Sequence, residues 1–141
     1  MPLVPGPSYA SRVHPNEALI RAAYDAMSAG DGASLAALLT PTTQWIIAGH
    51  GPLAGTYTGP NEIFGLWKDI AAQTGGGLRL QVEDVLANDA RVVVLIVATG
   101  SRGGRQLNER QVAIFDLSGD KVQTARFLYE DPDAYDQFWT D

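Results

Sequence analysis

Apolar residues in the first part of the chain recur at helical spacing. Over residues 15–29 they lie three and four positions apart, which predicts one buried helix face. Pro15 suits the first turn of this helix and Gly30 suits its end. Asp31 predicts the cap of a second, short helix, which ends before Pro41 because a residue that precedes proline resists the helical conformation.

Residues 44–59 join a short apolar strand to a glycine-rich loop, and the rest of the chain is arranged around them. The strand contains Trp45 and the loop contains His50. A third helix is predicted directly behind the loop, with Gly59 as its N-cap and Pro60 in its first turn. Three consecutive glycines end that helix.

From residue 78 onward the apolar period changes from helical to two, which predicts strands. The run at 91–98 is continuously apolar and predicts a central strand covered on both faces. Strands are also predicted at 78–83, 106–117 and 122–129. The C-terminal segment after residue 129 predicts a helical turn that is capped by Asp131. Its three aromatic residues are expected to pack against the rest of the domain.

This order predicts an α+β fold. Three helices are interleaved with one strand and a short β-segment, and an antiparallel run of strands follows, which places the helices on one face of a curved sheet. A length of 141 residues predicts one domain, spanning 14–141. Residues 1–13, rich in proline, are predicted to form a flexible N-terminal arm.

Composition narrows the class of protein. Hydrophobic residues make up 45 % and charged residues 18 %, which is typical of a globular domain. A net charge of -6 argues against nucleic-acid binding, and the basic pair Arg102 and Arg105 is interpreted as a solvated hairpin tip. The chain has no cysteine, which excludes disulfides and thiolate metal sites but does not indicate a redox compartment. It has no apolar run of membrane-spanning length and no evident secretory signal, so we expect a cytoplasmic protein without membrane contact.

Several short strings, in this order and spacing, carry a family resemblance. The chain resembles the NTF2-like superfamily, specifically its SnoaL-like and ketosteroid-isomerase-like members. The resemblance implies a cone-shaped fold, in which a curved antiparallel sheet wraps around three N-terminal helices and encloses an apolar pocket. It also implies a homodimer formed through the sheet. The matching strings are Ala29-Gly30-Asp31, Trp45, the PLAGTYTG of residues 52–59, Thr74-Gly75-Gly76 and Gly119-Asp120-Lys121.

The acids of two related enzyme types do not carry over to this sequence. The resemblance places the proton-shuttling carboxylate of steroid isomerases at Ile47, their oxyanion-binding tyrosine at Ala23 and their protonated acid near Gln111. The acids and arginine of limonene-epoxide-hydrolase-like members fall on three apolar positions. Those positions are Val94, Ile96 and Phe127.

His50 is the leading candidate for chemistry, since an imidazole titrates near neutral pH and acts as acid or base. The alternative is an exposed loop histidine. Tyr24 and Tyr57 are candidate catalytic partners, because a tyrosine hydroxyl needs a polar contact. The other histidine, His14, is interpreted as a capping or surface residue. No metal-ligand spacing and no phosphate-binding loop is present, so neither a metal nor a cofactor is expected.

Candidate substrate-binding residues are apolar or lie on the strand at 106–117. For the aromatic ones the alternative is ordinary core packing. On that strand, alternation separates two faces, and either can look into the cone. An ion pair of Arg110 with Glu130 or Asp84 is the structural alternative for that arginine. The substrate-binding candidates are Trp45, Ile47, Phe64, Trp67, Asn108, Arg110, Val112 and Phe127.

These observations predict a small-molecule enzyme of the SnoaL-like type. Its substrate would be an apolar polyketide- or terpenoid-like metabolite, and its chemistry an isomerisation, cyclisation or hydration in an enclosed hydrophobic pocket. A fold alone does not determine function, so a non-catalytic dimeric ligand-binding module of the same fold is the alternative.

Overall fold

The computed structural model describes residues 13–141, and the predicted N-terminal arm falls outside these residues except for Val13. The mixed α+β class predicted from the sequence is confirmed. None of the helices in this part of the chain is long and apolar enough to cross a membrane. The elements in chain order are α1 (Pro15–Ala29), α2 (Gly32–Ala36), β1 (Gln44–Ile47), β2 (Gly55–Thr58), α3 (Gly59–Gln73), β3 (Arg79–Ala87), β4 (Arg91–Arg102), β5 (Arg105–Ser118), β6 (Lys121–Tyr129) and α4 (Pro132–Trp139).

Side chains satisfy the first free amides of three helices. The Nδ1 atom of His14 accepts the amide of Asn16 at 3.0 Å and caps α1. Asp31 caps α2 and Asp131 caps α4, each by accepting an amide three residues further on at 3.1 Å. The predicted caps of these helices are therefore confirmed.

The cap of α3 differs from the prediction by one residue. Its N-cap is Thr58, and Gly59 is already the first helical residue. Thr58 makes no side-chain cap, but its own amide donates to Glu62 Oε1 at 3.0 Å. The contact resembles the returning half of a capping box, with the acid four residues after the N-cap instead of three, and it holds the chain where it enters the helix.

Six strands form one open, curved sheet in the order β2-β1-β6-β5-β4-β3. All neighbours run antiparallel except β1 and β6, which pair in parallel, so the expectation of a purely antiparallel sheet is wrong for that pair. The register shifts between Val82 and Asp84 on β3, and between Asp116 and Leu117 on β5. Such irregularities increase local bending and twist.

The inner face of the sheet packs against the helices, and the outer face is uncovered in the single chain. On β4, Val92, Val94 and Ile96 are at most 1 % exposed, whereas Leu95 between them is 38 % exposed. The prediction that this run is covered on both faces is therefore wrong. The helices cover only one face of β4. The apolar residues that alternate with the buried ones therefore form a second apolar face, which is open in the single chain.

The loop between β1 and β2 packs directly against α4. The backbone N–H of His50 donates to Asp136 Oδ2 at 2.9 Å. A Cβ on Gly51 would lie 2.8 Å from the Asp136 carboxylate and 3.0 Å from its Cα, and one on Gly49 would lie 2.6 Å from the same carboxylate. Glycines on both sides of the histidine therefore allow the loop to reach α4.

Substitution Gly51→Ala is expected to lower the free energy of unfolding by about 1–3 kcal/mol, because the new methyl group meets the α4 backbone. Gly65→Ala is the matched control. Gly65 lies on an exposed part of α3 with open space around it, so alanine there is expected to raise stability by about 0.5–1 kcal/mol. Chemical denaturation measures both, and equal effects at the two positions would contradict the packing described.

Candidate functional site

A cavity of about 390 Å³ lies between the helices and the inner face of the sheet. Ligand pockets typically measure about 300–1,000 Å³, so this cavity has room for a small molecule. Residues from all four helices or their ends, and from every strand except β2, contribute to its wall. The lining residues are Tyr24, Met27, Ser28, Leu35, Trp45, Ile47, Leu66, Trp67, Ile70, Ala71, Thr74, Gly76, Leu78, Arg79, Leu80, Ile96, Gln111, Phe127, Tyr129 and Tyr135.

Aromatic rings form one wall of the cavity. The rings of Trp45 and Trp67 meet edge to face with centroids 5.2 Å apart, and Phe127 lies 5.0 Å from Trp45. Phe64 packs on Trp67 at 5.1 Å without lining the cavity itself. Aromatic pairs of this kind are stabilised beyond the area that they bury, so the rings support one another as well as forming an apolar wall.

Polar residues also line the cavity, among them Ser28, Thr74 and Arg79 as well as four buried residues with a phenol or carboxamide group. Tyr24, Gln111, Tyr129 and Tyr135 line it and are 6 %, 8 %, 9 % and 7 % exposed. Burial raises the pKa of Tyr24 well above its usual value, so its hydroxyl stays protonated. The cavity therefore presents neutral phenol and amide groups.

Tyr129 and Tyr135 form a stacked pair, with ring centroids 3.6 Å apart and planes inclined by 11°. Burial raises the pKa of both hydroxyls. The two hydroxyl groups also interact with each other, which raises the pKa of Tyr129 further and partly offsets the rise at Tyr135. Both groups thus remain donors at neutral pH.

Glu109 lies beside this tyrosine pair but does not line the cavity. It is only 6 % exposed, and its Oε1 accepts the backbone N–H of Asp131 at 2.7 Å. This bond fixes the start of α4 to β5. The charge of Glu109 also contributes to the raised pKa of Tyr129. Glu109 therefore holds α4 in position and places a negative charge near the tyrosine pair.

Five of the sequence-predicted site residues line the cavity. They are Tyr24, Trp45, Ile47, Trp67 and Phe127. Tyr57 does not, because its hydroxyl donates to the carbonyl oxygen of Leu53 at 2.8 Å, outside the cavity wall. Burial, together with the charge of Asp69, raises its pKa.

His50 lies away from the cavity, in correction of its expected place at the pocket mouth. The side chain is exposed beside a separate surface groove that also contains Arg105 and Asp136. The physical reason is the loop geometry, since the amide of His50 is held by Asp136 of α4. No group of three or more histidine or acidic residues within residues 13–141 has the geometry of a metal site.

Asn108, Arg110 and Val112 lie on the outer face of β5, in correction of their expected place in the pocket. Asn108 and Arg110 are exposed and Val112 is half-buried. The guanidinium of Arg110 lies 4.0 Å from Glu83, which replaces the predicted partners Glu130 and Asp84.

Gln111, Tyr129 and Tyr135 were missed as site residues, although the sequence contains a signal for two of them. On β5, Gln111 has the same parity as Phe115 and Leu117, which are large and apolar and so identify the inner face. Tyr129 likewise has the parity of Phe127. For Tyr135, the pattern predicts packing on the domain but does not say which residue it meets.

Comparison with known proteins agrees with this architecture. The family model of the SnoaL-like domain matches residues 20–125. The uncharacterised protein Rv0034 of Mycobacterium tuberculosis is 30 % identical over 122 residues, covering 86 % of this chain and 93 % of that protein.

Two solved structures are similar over most of their length. Bal32a, from a soil-derived mobile gene cassette, superposes with a TM-score of 0.84 at 29 % identity, covering 88 % of this chain and 95 % of that one. TerC, co-crystallised with polyporic acid, superposes with a TM-score of 0.77 at 21 % identity, covering 88 % and 97 %. The resemblance seen in the sequence is confirmed, and the chain belongs to the SnoaL-like domain family with its NTF2-like fold.

Proposed function

We propose that the protein is a SnoaL-type small-molecule enzyme that encloses a mainly apolar, ring-containing metabolite of polyketide or terpenoid type. The observation that carries this proposal is the cavity of about 390 Å³, walled by Trp45, Trp67 and Phe127 and supplied with few polar groups. Small-molecule sites have this composition, in which apolar walls supply affinity and a few polar atoms fix orientation. TerC, which shares the fold, was co-crystallised with polyporic acid.

The lining groups favour chemistry by orientation. No carboxylate or imidazole among residues 13–141 lines the cavity, and the titratable lining groups whose side chains are buried are tyrosines. Holding a flexible substrate in a reactive geometry accelerates an isomerisation or cyclisation without a strong acid or base. Tyr24 remains a candidate for polarising the substrate, whereas His50 and Tyr57 take no part in this proposal.

A non-catalytic ligand-binding module is the second candidate function. The same lining supports it, since a wall of aromatic rings and neutral hydroxyls binds a ligand whether or not a reaction follows. The two candidates share the site and differ only in the fate of the bound molecule.

The partner we propose is a second copy of the chain, docked on the outer face of the sheet. This face carries apolar side chains on neighbouring strands, among them Leu86, Leu95 and Leu128, which are 55 %, 38 % and 49 % exposed. Adjacent apolar positions of β4 and β5 pair across the same face, as Val93 with Ile114 and Leu95 with Val112. An exposed apolar surface of this kind is typical of an interface.

Charged pairs border this apolar surface. Asp116 binds Arg91 at 2.7 Å and Arg126 at 3.5 Å, and Glu83 lies 4.0 Å from Arg110. An apolar centre with a polar rim is the usual anatomy of an interface between proteins. Because the same face is offered by both copies, the contact would be isologous.

Ligand binding is tested with naphthalene and the substitution Ala71→Trp, read by equilibrium dialysis. Ala71 lines the cavity from α3, so an indole there is expected to fill it and to weaken naphthalene binding tenfold or more. The control is Ala72→Trp, one residue on and outside the lining, which is expected to leave binding unchanged. Equal affinity in both variants would contradict a ligand site in the cavity.

Catalysis and binding are separated by the fate of a bound metabolite. Compounds captured from an aromatic-metabolite extract are released and compared with the input by chromatography and NMR. New products that form with the wild type and not with Ala71→Trp support the enzyme. Recovery of unchanged ligand from the wild type would reject catalysis and leave the binding module.

The proposed dimer is tested by light scattering after size exclusion. The wild type is expected at about twice the chain mass of 15.1 kDa. Leu95→Glu places a charge in the centre of the apolar face and is expected to yield monomers. Ala72→Glu, on an exposed part of α3, is the control and is expected to remain dimeric. A monomeric wild type would refute the interface.

A further inference from the structure

A second, much smaller void lies beside the cavity, between α1, the loop after α2 and the inner face of the sheet. Its volume is about 20 Å³, against about 390 Å³ for the cavity. About 10–15 Å³ is enough for one water molecule, so the void has room for one group of the size of water or methyl. Six residues line the void but not the cavity. They are Ile20, Ala23, Leu38, Leu39, Phe115 and Val122.

The chemistry of the lining favours an apolar occupant. Within the described part of the chain, only apolar surface faces the void. A buried water needs two to four polar partners, so water gains little by entering. Unfilled space of this kind costs free energy, because the atoms around it lose dispersion contacts on one side. A methyl-sized apolar group would restore those contacts.

Hydrogen bonds keep the walls of the void apart. The backbone N–H of Val122 on β6 donates to the carbonyl oxygen of Leu38 at 2.8 Å. The hydroxyl of the fully buried Thr43 donates to the carbonyl oxygen of Val122 at 2.6 Å. These bonds fix the loop after α2 against β6. The walls therefore resist the collapse that would otherwise remove the void.

The void and the cavity are neighbours, because five side chains line both. The shared residues are Tyr24, Met27, Leu35, Trp45 and Trp67. Met27 differs from the other four, since its side chain is unbranched, half-buried and free to rotate about three bonds. A methionine adapts to the shape of its surroundings at low cost. A change of the Met27 rotamer therefore offers a passage from the cavity into the void.

We infer that the void is a side pocket of the cavity and accepts one methyl-sized apolar substituent of the ligand beside Met27. This inference rests on the proposed function of the cavity as a small-molecule site, and it specifies the ligand class as ring compounds that carry a short alkyl branch. The ring system lies along Trp45, Trp67 and Phe127, while the branch enters the void. The position of the branch on the ring then determines the affinity.

Two positional isomers test the side pocket, with affinities measured by equilibrium dialysis. The probes are 1-methylnaphthalene and 2-methylnaphthalene, and naphthalene is the reference without a branch. The isomers have the same composition, so the hydrophobic driving force for leaving water is nearly the same for both. The wild type is expected to bind one isomer about fourfold or more tightly than the other, which corresponds to the burial of about one methyl group.

Val122→Ile adds one methylene group at the wall of the void and is expected to fill it from the protein side. The tighter isomer should lose its advantage of about fourfold, whereas naphthalene affinity should not change, because Val122 does not line the cavity. Val85→Ile is the matched control. Val85 is buried on β3, three strands away from β6, and lines neither space, so the preference between the isomers should remain.

Intermolecular nuclear Overhauser effects locate the methyl group in the wild type without any substitution. The methyl protons of the tighter isomer are expected to give cross-peaks to Ile20, Leu38 or Val122, which line the void alone. Methyl cross-peaks confined to residues that line only the cavity, such as Ile70, would overturn the side pocket.

The affinities separate this inference from the function on which it rests. Equal binding of the two isomers to the wild type would overturn the side pocket, as would a preference that survives Val122→Ile or that Val85→Ile abolishes equally. Naphthalene binding to the wild type would in each of these cases still support the cavity as a ligand site. If neither naphthalene nor either isomer binds the wild type, both the side pocket and the proposed function fail.

Discussion

The strand parity of β5 is the constraint on which the rest of the structure depends. This strand pairs with both β4 and β6, and its inward positions include Ala113, Phe115 and Leu117. A slip of one residue would exchange the two faces, moving Gln111 out of the cavity and Arg110 into it. The apolar inward residues make that exchange costly, so the core fixes the chemistry of the site.

The sequence was informative where a local rule decides the structure. The span of α1 and the caps of α2 and α4 follow from proline, glycine and aspartate at the ends of periodic segments. The fold class followed from the order of elements and from the family resemblance. The site was less predictable, because the cavity residues come from elements that include α1, α3, β5, β6 and α4. Local sequence patterns do not predict how these elements are placed relative to one another.

His50 and Arg110 illustrate how residue chemistry misleads without placement. A histidine in a glycine-rich loop suggests a mobile catalytic group, but Gly49 and Gly51 are explained by the close approach of Asp136. Arg110 suggests substrate orientation, but alternation places it on the outer face near Glu83. In contrast, Tyr129 and Tyr135 looked like ordinary aromatic residues, and only their shared cavity wall gives their hydroxyls a role.

The cavity between the helices and the inner face of the sheet is the feature on which the proposed function depends, and the central claim is that a small ring-containing molecule binds there against Trp45, Trp67 and Phe127. Intermolecular nuclear Overhauser effects from bound naphthalene test that claim most directly, because they identify the side chains that contact the ligand. Cross-peaks to the rings of Trp45, Trp67 and Phe127 are the predicted result. Cross-peaks confined to side chains of the outer face of the sheet, such as Leu95, would contradict the claim.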